Sequence, residues 1–150
     1  MATEAASEIP QTERVLPSFK PQQLSFPLPK ALHTTGHIHL SFLGHCVMVF
    51  LATSTPGDSA GSVKSLGSFV YAMPDRTSSK STIATTIYTS PSSIEYTTRV
   101  AKIITRRIGM PIYVGCSIDT NALGLQVEEE MEGLTHIVNL VVEKYEAQKQ

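Results

Sequence analysis

The chain has 150 residues, 41% of them hydrophobic and 17% charged, with a formal net charge of -1 and a pI near 6.5. That length is one domain's worth, with enough apolar content for a core. The charge balance excludes a dedicated nucleic-acid binder, whose phosphate contacts need a basic excess. Low net charge also means weak self-repulsion, which suits a protein that works bound to others.

Residues 1–33 carry Pro10, Pro17, Pro21, Pro27 and Pro29 among polar residues. This spacing forbids helix and interrupts ladder pairing, so a flexible leader is expected. Leu24, Phe26 and Leu28 alternate, which also fits a segment lying extended on a sheet edge. The segment holds no apolar signal core, and nowhere do about 20 apolar residues run together. Cys46 and Cys116 fall in strand-like apolar runs without a CxxC spacing. Sparse cysteine points to a reducing compartment, so a soluble, intracellular chain is expected.

A single domain is expected over residues 34–150, its body starting near Gly36. Ile38-His39-Leu40-Ser41-Phe42 alternates as a half-exposed strand does. Gly44-His45 suits a two-residue type II′ hairpin loop, because glycine stands at its first position. That register pairs Phe42 with Val47, Leu40 with Val49 and Ile38 with Leu51. The returning strand, Cys46 to Ala52, is apolar on both faces and must be covered twice. Its second face carries Cys46, Met48 and Phe50 beside Ser41, His39 and His37.

Thr53 to Ser65 is rich in Gly, Ser, Pro and Thr and reads as a mobile loop. Leu66–Met73 reads as a third strand and Ser81–Tyr88 as a fourth. A helix follows, with Ser90 as N-cap, Pro91 in the first turn, and Gly109 as terminator with Pro111 beyond. Ile94, Ala101, Ile104 and Ile108 form its core stripe. Ile112–Ser117 is a fifth strand and Leu123–Val127 a short sixth, separated by an Asp119-Thr120-Asn121 turn. The last helix starts at Glu128-Glu129-Glu130, its stripe being Met131, Leu134, Val138, Val141 and Tyr145. Val100 and Ile103 on the first helix, and Ile137 and Leu140 on the second, lie off these stripes as an apolar excess. The pattern is α+β: a mostly antiparallel six-stranded sheet with two helices on one face, the other face being used for dimerisation.

The residues that invite chemistry do not assemble into a motif. His37 and His39 share a strand face, but His45 sits in the turn at the far end of the hairpin, too far for one zinc site. Gly57 to Ser65 echoes a phosphate loop, yet Val63 stands where that loop needs glycine before Lys64-Ser65, and a strand follows instead of a helix. No nucleophile elbow is present, and both cysteines read as packing, so no enzyme, cofactor or metal is expected. Arg99, Lys102 and Arg106 share one face of the first helix. They read either as a solvated face with a Glu95–Arg99 pair or as a contact for an acidic partner protein.

Several strings, in order, resemble the proteasome-assembly chaperone 4 family. They are His37-Ile38-His39 opening a hairpin and Tyr71-Ala72-Met73 closing a strand. Next come Thr85-Thr86-Ile87 leading into a helix that ends at Arg106-Arg107, then Ile112-Tyr113-Val114. Ala122-Leu123-Gly124-Leu125 and Glu128-Glu129-Glu130-Met131 complete the series. The resemblance spans residues 36 to 142. It implies a non-enzymatic protein without cofactor, present in cytoplasm and nucleus. It implies a heterodimer with a chaperone 3-type subunit that binds 20S proteasome alpha-type subunits, notably alpha-type-5. The complex acts during alpha-ring assembly and leaves before maturation. The implied fold is an antiparallel sheet with flanking helices that dimerises through sheet packing. On this reading Cys46, Met48, Phe50 and, according to register, Tyr71 or Val70 form the dimer face, with Arg99, Lys102 and Arg106 as further partner contacts. The proline-rich leader and the loop Thr53 to Ser65 depart from the family pattern. A rival with the same layout is a profilin-like or roadblock-like homodimeric scaffold for a GTPase or cytoskeletal partner.

Overall fold

A computed structural model of the chain describes residues 20–31, 33–59, 61–78 and 80–149. Period-two burial builds its sheet. In β2 (Thr35–Phe42) every second residue is buried, beginning with Gly36, and in β3 (Val47–Ser54) the same alternation runs from Val47 to Leu51. The hairpin register is the expected one: Phe42 opposite Val47, Leu40 opposite Val49, Ile38 opposite Leu51. Gly44 has φ 89°, and the Leu43 N–H donates to the Cys46 carbonyl at 2.9 Å, closing a two-residue loop.

The sheet has six strands in the order β1-β2-β3-β6-β4-β5. The remaining strands are β1 (Gln22–Pro27), β4 (Ser68–Pro74), β5 (Thr82–Tyr88) and β6 (Ile112–Cys116). All neighbours are antiparallel except β3 and β6, which run parallel. Helix α1 (Ile94–Ile108) and helix α2 (Val127–Gln148) complete the α+β fold. The sheet face they cover presents Ile38, Leu40, Val47, Val49, Val70, Ile112 and Val114, all buried.

Two corrections concern the strands. Leu123–Val127 is not a strand. Asp119 Oδ1 accepts the Asn121 and Ala122 N–H groups at 3.1 Å each, and the chain winds through a turn until Gly124, at φ 69°. Leu123 and Leu125 pack on the core without ladder partners, and α2 starts at Val127. The sixth strand is β1, from the proline-containing segment, paired from Gln22 opposite Leu40 to Pro27 opposite Thr35. Pro21 and Pro27 flank it at its ends, where a missing N–H interrupts nothing. Residues 1–19, the larger part of the expected leader, lie outside the described residues.

Three local corrections follow. Strand β4 begins at Ser68 because Gly67, at φ 75°, lets the chain cross tightly over the Cys116 carbonyl. Leu66 therefore lies in the preceding loop. Helix α1 begins after a turn in which the Ser93 and Ile94 N–H groups both bond the Ser90 carbonyl at 3.0 Å. Ser93, not Ser90, is its N-cap, without a side-chain cap bond. Ser68 anchors this entry: its hydroxyl donates to the Ser90 carbonyl at 3.1 Å, accepts from the Ser90 N–H at 2.9 Å and lies 2.9 Å from Ser93 Oγ. The helix end is as expected, Gly109 being left-handed with its N–H on the Thr105 carbonyl at 2.9 Å. The apolar excess is smaller than expected, because Val100 and Ile137 are buried in the core. The helices pack on each other as well as on the sheet, so each buries a second stripe.

Candidate functional site

Among the described residues, no layer lies over the sheet face opposite the helices. Met48 and Phe50 of β3, Phe69, Tyr71 and Met73 of β4 and Tyr113 of β6 stand on it half-buried. Alternation places them there: Val47, Val49, Val70, Ala72, Ile112 and Val114 take the helix side, so their neighbours take the other.

The aromatic rings form a continuous row across three strands. Phe50 stacks with Phe69 at 6.2 Å between centroids and an interplanar angle of 11°. Phe69 stacks with Tyr113 at 5.8 Å, and Tyr113 meets Tyr71 at 4.7 Å. Phe50 reaches Phe69 across β6 because Gly115 lies between them, paired with Phe50 on one side and Phe69 on the other. A Cβ at Gly115 would stand 2.7 Å from Phe50 Cδ1 and 2.6 Å from Leu66 Cδ1. The rings and the Leu66 tip thus fill the space a side chain would occupy.

Toward the β1 edge the same face turns polar. His37 accepts from or donates to Ser25 Oγ through Nδ1 at 2.9 Å and Ser54 Oγ through Nε2 at 2.6 Å, tying β1, β2 and β3 together. His39 Nδ1 lies 3.5 Å from Gln23 Nε2, and its ring 6.2 Å from that of Phe50. A shallow hollow of about 460 Å³ opens here between the polar row, Phe50 and Leu66. The loop behind it is held by Asp58, whose Oδ2 accepts from Lys64 Nζ at 2.7 Å and from the Thr55 N–H at 2.8 Å. Both bonds hold the Asp58 carboxyl below its ordinary value, the Lys64 bond most. Lys64 is therefore committed to Asp58, and its loop joins two strands, as expected for a segment that is not a phosphate loop.

The site residues named from sequence fall in three places. Met48, Phe50 and Tyr71 come together on the open face, and the register question resolves to Tyr71, since Val70 is buried against the helices. Cys46 precedes β3 at the hairpin end and is buried within its own chain, so it offers little surface. Arg99, Lys102 and Arg106 lie on the outer face of α1, away from the sheet. Arg99 Nη1 pairs with Glu130 Oε1 of α2 at 3.3 Å, not with Glu95. Lys102 and Arg106 are exposed. Sequence reasoning missed Phe69, Tyr113 and Leu66. The alternation Phe69-Val70-Tyr71-Ala72-Met73 and the sequence Ile112-Tyr113-Val114 carry the signal for the first two.

Among the described residues no group of three His, Cys, Asp or Glu side chains could hold a metal ion. Among them, too, no helix is long and apolar enough to cross a membrane.

No curated protein matches the chain. Among solved structures, a chain from the crystal structure of a novel chaperone complex for yeast 20S proteasome assembly is similar in fold. Its TM-score is 0.58 at 18% identity, covering 82% of this chain and 94% of that one. The family model described as proteasome assembly chaperone 4 matches residues 35–118, from the start of β2 to just beyond β6 and more than half of the chain. The chain belongs to the proteasome assembly chaperone 4 family.

Proposed function

We propose that this protein is a non-enzymatic assembly chaperone of the 20S proteasome that works as a heterodimer with a chaperone 3-type subunit. The observation that carries the reading is the half-buried aromatic row of Phe50, Phe69, Tyr113 and Tyr71 on the sheet face opposite the helices. A contiguous apolar patch of this kind marks an interface, and two sheets meet face to face at about 10 Å, interdigitating such side chains. Met48, Phe50 and Tyr71 are the contacts proposed from sequence, with Phe69 and Tyr113 added; Cys46 acts by packing the hairpin end.

The heterodimer binds alpha-type subunits, notably alpha-type-5, while the alpha ring forms. Lys102 and Arg106 are offered to them on α1, with Arg99 held in place by Glu130. Assembly order follows from steric exclusion, since a chaperone occupying a surface needed later must leave before the particle matures. The test is purification of the tagged protein from its own cells with mass spectrometry of what accompanies it. A related small chaperone together with alpha-ring precursors is expected. A homodimer free of proteasome subunits would overturn the reading in favour of a roadblock-like or profilin-like scaffold.

A further inference from the structure

The two edges of the sheet are built differently. Strand β1 is bounded by Pro21 and Pro27. Strand β5, Thr82-Ile83-Ala84-Thr85-Thr86-Ile87-Tyr88, contains no proline, no glycine and no charge. Among the described residues it pairs only with β4, and none of them pairs with its other edge. Ile83, Ile87 and Tyr88 are 47%, 53% and 61% exposed. Edge strands are ordinarily protected by charge, proline or a bulge, because an unpaired row of N–H and C=O groups templates another strand. The one such device here is the register shift that leaves Ile87 unpaired: Phe69 faces Tyr88 and Val70 faces Thr86. Thr82 to Thr86 has no protection.

The ladder shows which groups point outward. The Asp75 N–H donates to the Ser81 carbonyl at 3.1 Å, so that pair bonds inward. Inward-bonded pairs alternate along an antiparallel ladder. The pairs Pro74–Thr82, Ala72–Ala84 and Val70–Thr86 are the intervening ones, and Pro74 has no N–H to give. Thr82, Ala84 and Thr86 therefore direct their N–H and C=O groups to the edge away from β4.

We infer that β5 is a self-association edge that pairs antiparallel with β5 of a second copy of this chain, centred on Ala84. In that register Ala84 faces Ala84, and Thr82 faces Thr86 on both sides. Every outward N–H and C=O from Thr82 to Thr86 then gains a backbone partner. Between them Ile83 faces Thr85, a β-branched cross-strand pair, and no like charges meet. The small Ala84 at the two-fold axis leaves the backbones free to approach. Two six-stranded sheets thus join edge to edge, leaving both open faces available.

The register makes a sharp test. Cys46 and Cys116 are buried, so a cysteine on β5 is the accessible thiol. Under mild oxidation Ala84→Cys is expected to give a disulfide-linked dimer, whereas Ile83→Cys, which faces Thr85 of the second copy, is not. Sedimentation in a Met48→Asp background separates this contact from the open-face interface. The Met48→Asp chain is expected to self-associate, and adding Ala84→Pro, which removes an outward donor without touching the β4 ladder, is expected to make it monomeric. Equal cross-linking of Ala84→Cys and Ile83→Cys, or a monomeric Met48→Asp chain, would overturn the inference. So would cross-linking and amide protection of β5 that arise only when a second protein is added, which would assign the edge to that protein.

Discussion

Gly115 faces Phe50 on one side and Phe69 on the other, and its missing side chain is what lets the two rings stack. Gly115→Ala drives a methyl into Phe50 and Leu66, and such overpacking typically costs about 1–3 kcal/mol. The expected result is a lower urea midpoint with unchanged slope; an unchanged midpoint would show that the rings yield freely. On the same strand Cys116 is fully buried, and desolvation pushes its thiol up to about 11 from 9.0. The unfolded chain therefore loses this proton first. The associated stability is intact below about pH 9 and is lost as pH rises toward 11. Thermal unfolding across this range should fall more steeply for the natural chain than for Cys116→Ala. Parallel curves would contradict the burial argument.

Strand β1 belongs to the core and not to a leader. Phe26 is buried, meets the His136 ring at 4.7 Å between centroids and covers Gly36, where a Cβ would stand 2.6 Å from Phe26 Cζ. Phe26→Ala is expected to cost about 3–5 kcal/mol, as large aromatic truncations in a core do. Removing residues 1–33 should in addition leave the edge of β2 uncovered. Urea unfolding of both variants is the check, and a natural midpoint in either would return the segment to a flexible leader. The β2–β3 hairpin was legible because Gly44 fixes the turn and the turn fixes the register. Strand β1 was half-legible: its alternation was visible, but the prolines outweighed it because their places at the strand ends cannot be read without the pairing. Leu123 to Val127 misled for the opposite reason, since an apolar run beside a turn signal says nothing of the Asp119 bonds that wind it into a turn. Val100 and Ile137 looked superfluous because a single-helix stripe ignores helix–helix packing.

At the scale of the molecule, one layer of helices covers one face of a sheet whose other face carries the aromatic row. The apolar character of that other face was legible in the Cys46 to Ala52 run. The full extent of the face was not, because Phe69 and Tyr113 join it only through the β3–β6–β4 order, where a parallel pair brings distant segments together. The outer face of α1 is separable from this surface. Lys102→Glu with Arg106→Glu is expected to weaken alpha-subunit capture while leaving the chaperone pair intact, read by co-purification. Loss of both together would contradict separate surfaces. The most direct test of the central claim is sedimentation of the purified chain mixed with its related chaperone, comparing natural Met48 with Met48→Asp. An unpaired charge buried between sheets is strongly unfavourable. A mixed complex with equal numbers of the two chains is therefore expected for the natural chain, and no mixed complex for a Met48→Asp chain that still unfolds cooperatively. An intact complex with Met48→Asp would show that the open face is not where the partner binds.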